Sequence, residues 1–374
     1  MTDTSSTSSP LLSICIPTYN GEAYIGHVLS ILLQQSLGLE DLVEIIIADD
    51  KSTDRTVEIA AALGGNRIRL IGNSPNLGMG PNIAACMSGH AKGQFVWIWS
   101  QHCLLRPGAL QRVVETLQSH PRINAFYVNF RCARYPDKWP ESVNASYDGP
   151  FDYLSNANIT TQHLSAWHEL LFPATCLCTQ TYAHIVRREI VSSYLEKQII
   201  PREFGRAIAT FTQTTTTAES FFNEPAVYLG DPIFTIFNGA QTWSQLHTRS
   251  LVYFQALPEL VAIFRRHGLS GMKLQQAESY ASEMAAKIFK ELLHAYGLKR
   301  SPKVLLYAWQ FRRQHKCIAT LCGTFFGSDW CTSVRLLRRT TARLKSMQAY
   351  LFHQCRPARW YHNRHRRATG STGN

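Results

Sequence analysis

The chain has 374 residues, 45% of them hydrophobic, and a formal net charge of +12. That length and composition suit a folded core and exclude an intrinsically disordered chain. No window reaches the roughly 18 uncharged apolar residues of a membrane span, and ten cysteines without any CxxC pair argue against a zinc or disulfide scaffold. The charge is localised: residues 301–374 hold 14 Lys/Arg against the single acid Asp329, whereas the first 300 residues hold 24 basic and 25 acidic residues.

Taken in order, Met1 to Pro10 is a polar Ser/Thr run without the basic start and apolar stretch of a leader, and reads as a loose tail. Ser13 to Ile16 is a short apolar run that stops at Pro17-Thr18-Tyr19-Asn20-Gly21. Tyr24 to Gln35 has helical spacing through Ile25, Val28, Leu29, Leu32 and Leu33. Val43 to Ala48 is a second apolar run, ending in Asp49-Asp50-Lys51-Ser52-Thr53-Asp54. Both runs read as parallel strands buried on both faces, and ligands of such sheets bind beyond the carboxyl ends of the strands. Asp54 is placed to cap a helix over Arg55–Leu63, closed by Gly64-Gly65. A short strand at Ile68–Ile71, a Gly/Asn-rich loop, a helix opened by Pro81, a strand at Phe95–Trp99, a helix after Pro107 and a strand at Ile123–Phe130 follow. Cys176 and Cys178 have the spacing that alternates across a strand.

Four segments in this order resemble the family 2 glycosyltransferases, inverting enzymes of the GT-A fold. They are Pro17-x-Tyr19-Asn20; Asp49-Asp50-x-Ser52-x-Asp54-x-Thr56; Asn76-x-Gly78 with Asn82; and the Phe95–Trp99 strand followed by Pro107-Gly108. The resemblance covers roughly the first 120 residues and implies a Rossmann-like mixed sheet with flanking helices. It implies transfer of a sugar from a nucleoside-diphosphate donor to an acceptor hydroxyl, with inversion. Asp49 or Asp50 would then meet the base and ribose, Tyr19 would pack on the nucleobase, and Pro17, Asn20, Asn76, Asn82 and Ser100 would complete the donor side.

The family's Asp-x-Asp site for Mg²⁺ or Mn²⁺ is replaced here by Ser100-Gln101-His102. Three readings of His102 stand: a ligand to Mn²⁺ or another transition metal, an imidazolium donating to the diphosphate, or a satisfied histidine in a degenerate site. The Glu-Asp pair that holds the family's general base is also absent, leaving Glu203 and Glu169 as candidates. His163, His168 and Glu169 do not match the His-Glu-x-x-His pattern of zinc enzymes. Weaker similarity runs through Val186-Arg187-Arg188-Glu189, Pro225–Tyr228 and Phe237-Asn238-Gly239. The last resembles relatives that transfer dideoxy or other modified sugars to bacterial polysaccharides.

The expected organisation is a tail over 1–10, a GT-A domain over 11–245, a helical segment over 246–300 packed on it, and a basic amphipathic extension over 301–374. Leu251–Phe264 and Leu274–Leu293 have helical spacing, and the extension interleaves Arg338, Arg339 and Arg343 with Leu336, Leu337, Leu344, Trp360 and Tyr361. That pattern fits an anionic membrane surface, hence a peripheral position on the cytoplasmic face, with a lipid-linked or surface saccharide as acceptor. Nucleic acid is the poorer fit, since no recognition motif accompanies the arginines. The alternative function is a diverged GT-A protein that binds nucleotide sugar or a partner without turnover.

Overall fold

A computed structural model describes residues 9–142, 146–171, 177–240 and 245–296. Four parallel strands open the chain: β1 (Leu12–Thr18), β2 (Val43–Asp49), β3 (Arg69–Gly72) and β4 (Phe95–Ile98). They lie in the order β3-β2-β1-β4. β1 and β2 are buried along nearly their whole length because helices cover both faces, which is why neither shows period-2 alternation. Those helices are α1 (Ile25–Gln35), α2 (Thr56–Gly64), α3 (Met79–Ala85) and α4 (Ala109–Ser119).

The sheet continues through β9 (His184–Arg187), which runs antiparallel between β4 and β6 (Ala125–Arg134). β10 (Ala226–Asn238) lies parallel to β6, and β5 (Cys103–Leu105) closes the path antiparallel to it. Two short strands, β7 (Tyr153–Leu154) on β6 and β8 (Gln162–Leu164) on β10, complete it. The carboxyl ends of β1, β2, β4, β6 and β10 therefore share one edge of the sheet.

Several predicted boundaries shift for identifiable reasons. α2 starts at Thr56, one residue late, yet Asp54 still serves that end: its carboxylate accepts from the Thr56 N–H at 3.0 Å and from the Glu22 N–H at 3.1 Å. α3 starts two residues before Pro81 and passes into a wider, i→i+5 turn over Cys86–His90. β6 runs four residues beyond the predicted end because β10 pairs with it as far as Arg134. The single helix expected over Leu251–Phe264 is three pieces, α8 (Leu246–Leu251), a π turn (Val252–Ala256) and α9 (Leu257–Arg266). Pro258, at the start of α9, has no N–H to continue the ladder, and the π turn absorbs the missing bond. Cys178 lies in a turn, with φ of 55°, not on a strand; Cys176 is outside the described residues. The 301–374 extension, with its membrane-surface reading, also lies outside them.

α5 (Arg188–Leu195), α6 (Ala207–Thr210), α7 (Thr212–Phe221) and α10 (Gly271–Tyr296) complete the described elements. α7 escaped sequence analysis because it has no apolar period: Thr212 to Thr217 are all buried although none is apolar. Thr214 donates to the Cys178 carbonyl at 2.6 Å and Thr216 to the Thr212 carbonyl at 2.6 Å. The hydroxyls of Thr212, Thr215 and Thr217 have no partner among the described residues. An unsatisfied buried hydroxyl costs free energy that an isosteric methyl does not. Thr217→Val is therefore expected to stabilise the protein by about 1 kcal/mol, read as a rise in the urea midpoint at unchanged slope.

Candidate functional site

The exits of β1 and β2 are stitched together by their own polar residues. The Asp50 N–H donates to the Thr18 carbonyl at 2.8 Å. Asn20 stands in the left-handed region, with φ of 49°, where its N–H reaches Ser52 Oγ at 2.9 Å and its Oδ1 accepts from the Thr53 N–H at 2.9 Å. Lys51, with φ of 66°, is the second non-glycine held left-handed on these exits. Strain of this kind persists only where surrounding contacts over-determine the backbone, and it gathers at binding sites. Tyr19 is exposed and Pro17 half-buried on the same edge.

Asp49 and Asp50 are both buried, and each has internal work. Asp49 accepts from the Ser52 N–H at 2.9 Å and the Ser52 hydroxyl at 2.5 Å. Asp50 holds the loop after β3: Oδ1 accepts from the Leu77 N–H at 2.7 Å and Asn73 Nδ2 at 3.1 Å, and Oδ2 from the Gly78 N–H at 2.8 Å. Asn82 is buried, donating to the Ala48 carbonyl and accepting from Asn73, both at 2.9 Å. Its amide is thereby committed to tying β2 to the loop. Asn76 donates to the Asp50 carbonyl at 2.5 Å and accepts from Arg202 Nη2 at 2.8 Å.

The β4 exit joins this edge through Gln101, whose Oε1 accepts from the Thr18 hydroxyl at 2.5 Å. A methyl on Gly21 would come within 2.3 Å of the same oxygen, so a side chain there would displace the Gln101 amide from Thr18. Ser100 is buried, and its hydroxyl accepts from the His102 N–H at 3.0 Å. The His102 carbonyl accepts from the Phe237 N–H at 3.1 Å, which places it at the carboxyl end of β10. Its ring meets Tyr24 edge-on, centroids 4.5 Å apart, in a cluster with Tyr135 and Trp139. Burial lowers the His102 pKa to about 4. In the free protein this burial disfavours the imidazolium form. Nor does the Ser100-Gln101-His102 donor set fit a Mg²⁺ cage, since it has no carboxylate. Among the described residues no three His, Cys, Asp or Glu side chains gather as a metal site. His120 and His163 do approach, with their Nε2 atoms 3.3 Å apart, but no third ligand joins them.

The two candidate bases separate cleanly. Glu203 is exposed and follows Arg202, which touches Asn76, so it stands at the strand-exit edge. Glu169 does not. Its carboxylate accepts from the Ala166 N–H at 3.1 Å and from the Ser165 hydroxyl, and Trp167 donates to the carbonyl of Glu224, just before β10 begins. From there to Phe237 is the length of β10, roughly 35–40 Å at the rise of an extended strand. Glu169 caps a short helical turn at the opposite edge, and the expectation that it serves as base is withdrawn on that topology.

Gln101 and Lys51 lie within the motif segments but carry no role of their own in the sequence, and Arg202 has no sequence signal at all. Arg202 and Asn76 are 126 residues apart in the chain, and no local pattern signals their meeting.

Residues 13–177 match the family model described as glycosyl transferase family 2. The chain is 33% identical over 134 residues to an uncharacterised Mycobacterium tuberculosis protein, MT1568, covering 36% of this chain and 40% of that one. It is 36% identical over 117 residues to the Salmonella typhimurium abequosyltransferase RfbV, covering 30% and 34%. The matches thus span well under half of these relatives. The fold is similar to that of Staphylococcus aureus TarS residues 1–349, crystallised in complex with UDP-GlcNAc, with a TM-score of 0.56, 15% identity and 81% of each chain covered. With the four parallel strands and the Asp49-Asp50 exit in place, residues 13–177, somewhat less than half of the chain, are similar to glycosyltransferase family 2, and the fold is of the GT-A kind.

Proposed function

We propose that the protein transfers a sugar from a nucleoside-diphosphate donor to a saccharide hydroxyl with inversion, at the edge where β1, β2 and β4 end. The observation carrying this reading is the Asp50-anchored loop 73–78 set against the Tyr19-Asn20 exit, within a family 2 domain. That arrangement leaves an exposed aromatic ring, Tyr19, and a left-handed, hydrogen-bonded backbone at the carboxyl edge of the strands, where open α/β sheets hold ligands. Tyr19 would stack on the base, Asp49 would accept from base or ribose, and Asn20, Asn76 and Ser100 would line the pocket. In the reaction the acceptor oxygen attacks the anomeric carbon, the bond to the diphosphate breaks, and a general base takes the hydroxyl proton. Glu203, exposed and without a partner among the described residues, is the base in this reading. The departing diphosphate needs counter-charge, from Mg²⁺ or Mn²⁺ as the family resemblance implies or from the protein's own cations.

The acceptor is a lipid-linked or surface polysaccharide, and the basic 301–374 extension is the anchor to an anionic membrane surface. The similarity to an abequosyltransferase supports a bacterial polysaccharide product. No helix among the described residues is long and apolar enough to cross a membrane. Incubating the full chain with a panel of nucleotide sugars and a membrane extract tests the reaction. Release of one nucleoside diphosphate with sugar incorporated into lipid-linked material is expected, and Glu203→Gln should lower the rate at least a hundredfold, the scale of general-base catalysis. Nucleotide binding with no turnover across the panel would favour a diverged binding protein instead.

A further inference from the structure

We infer that this protein binds its nucleoside diphosphate without a divalent cation, the phosphates being held by the guanidinium of Arg202. The inference rests on the proposed donor site and concerns how that site offsets charge. Three observations carry it. The β4 exit, where a metal would need carboxylates, offers a serine, a glutamine and a half-buried imidazole, none of them a carboxylate. The two carboxylates nearby, Asp49 and Asp50, are engaged by Ser52 and by the 73–78 loop. Among the described residues no three His, Cys, Asp or Glu side chains gather to make a cation cage. A diphosphate at this edge would then lack the metal-borne positive charge that the resemblance puts there.

A cation does stand at the loop after β3. Arg202 donates to Asn76 Oδ1 at 2.8 Å, and Asn76 donates in turn to the carbonyl of Asp50. The Arg202 stem lies against the loop: a Cβ on Gly78, which has φ of 90°, would come within 2.7 Å of its Cγ. The loop and the arginine are thus fitted to one another. Arg55 and Arg206 are occupied by Glu58 and Glu259. Arg202 has no carboxylate partner among the described residues, and its one recorded hydrogen bond leaves most of its N–H donors for a ligand. A planar guanidinium matches two phosphate oxygens at once, which a point charge does not. Lys51, directly after Asp50 and likewise without a carboxylate partner among the described residues, adds a second cation beside the same loop.

Calorimetric titration of the full chain with UDP, GDP, CDP and dTDP, in EDTA and then in Mn²⁺, tests this. One nucleotide is expected to bind with affinities that agree within about twofold between the two conditions. Arg202→Met should weaken that nucleotide roughly tenfold or more, the scale of a lost charge-assisted contact, while the matching nucleoside, which has no phosphates, binds as before. Arg202→Lys should recover part of the loss. Equal weakening of nucleoside and nucleotide would make Arg202 a support of the loop and overturn the inference. Binding that appears only with Mn²⁺ and is lost in His102→Ala would overturn it while sparing the donor site. Absence of binding by all four in both conditions would overturn the donor site and the inference together.

Discussion

Asp50→Ala is expected to abolish nucleotide binding and to lower stability by about 2–4 kcal/mol, the range for stranding buried hydrogen-bond donors. The carboxylate receives the N–H groups of Leu77 and Gly78 and the side-chain amide of Asn73. Once it is removed, two backbone donors in a partly buried loop lose their acceptor. The loop also loses the only carboxylate that joins it to the end of β2, leaving the backbone carbonyls of Asp49 and Asp50 and the Asn82 amide to hold it, and Asn76 and Arg202 shift with it because both are placed through the loop. Asp50→Asn separates the two effects. Its amide oxygen can satisfy one N–H, but its NH₂ then faces the other, so an intermediate stability loss and weakened binding are expected. Urea unfolding gives the first quantity and nucleotide titration the second. An alanine variant as stable as the wild type would show that the loop is held elsewhere.

Acidification from pH 6.5 to pH 5 is expected to destabilise the fold well before its carboxylates protonate. Burial pushes the pKa of His184 down to about 4, and that of His102 to about 4 as well. His184 is completely buried, with Nε2 on the Cys178 carbonyl at 2.8 Å and its ring 5.0 Å from Tyr127. Nδ1 has no partner among the described residues, so a second proton would be stranded there. Both folded pKa values lie below the unfolded value near 6.5, so above pH 6.5 neither state is protonated and stability is complete. Between pH 6.5 and 4 the unfolded chain takes up protons that the folded one refuses, and stability falls as pH falls. For His184 alone the loss approaches about 3 kcal/mol by pH 4, and His102 adds to it. Glu44 and Asp54, whose pKa values are lowered by the hydrogen bonds they accept, contribute stability that is lost only at more acid pH. Urea midpoints at pH 7.5, 6.5, 5.5 and 5.0 measure the slope, and His184→Gln should flatten it. A slope that stays near zero down to pH 5 would mean the ring is hydrated.

The parts of this fold that could be read from the chain are those specified locally. β1 and β2 announce themselves as apolar runs cut off by Pro17 and Asp49, and α1 and α4 by their apolar spacing. The same is true of the site's left half, where Asn20, Asp49 and Asp50 sit on those exits. What could not be read depends on long-range pairing. The sequence around Glu169 does not say which edge of the sheet it occupies; the direction of β10 decides that. Arg202 reaches the site only because the chain returns to the loop at Asn76. α7 hides because its Thr run is buried by neighbours, not by its own polarity.

Amide hydrogen exchange of the full chain, with and without saturating UDP, GDP, CDP and dTDP in turn, tests the placement of the donor site most directly. One nucleotide is predicted to slow exchange at three segments together: 17–22 after β1, 50–56 after β2, and the 73–78 loop. Those segments share hydrogen bonds in the free protein, so a ligand held among them should protect all three. Protection confined to another part of the molecule, or none with any of the four, would contradict a nucleotide site at the ends of β1, β2 and β4.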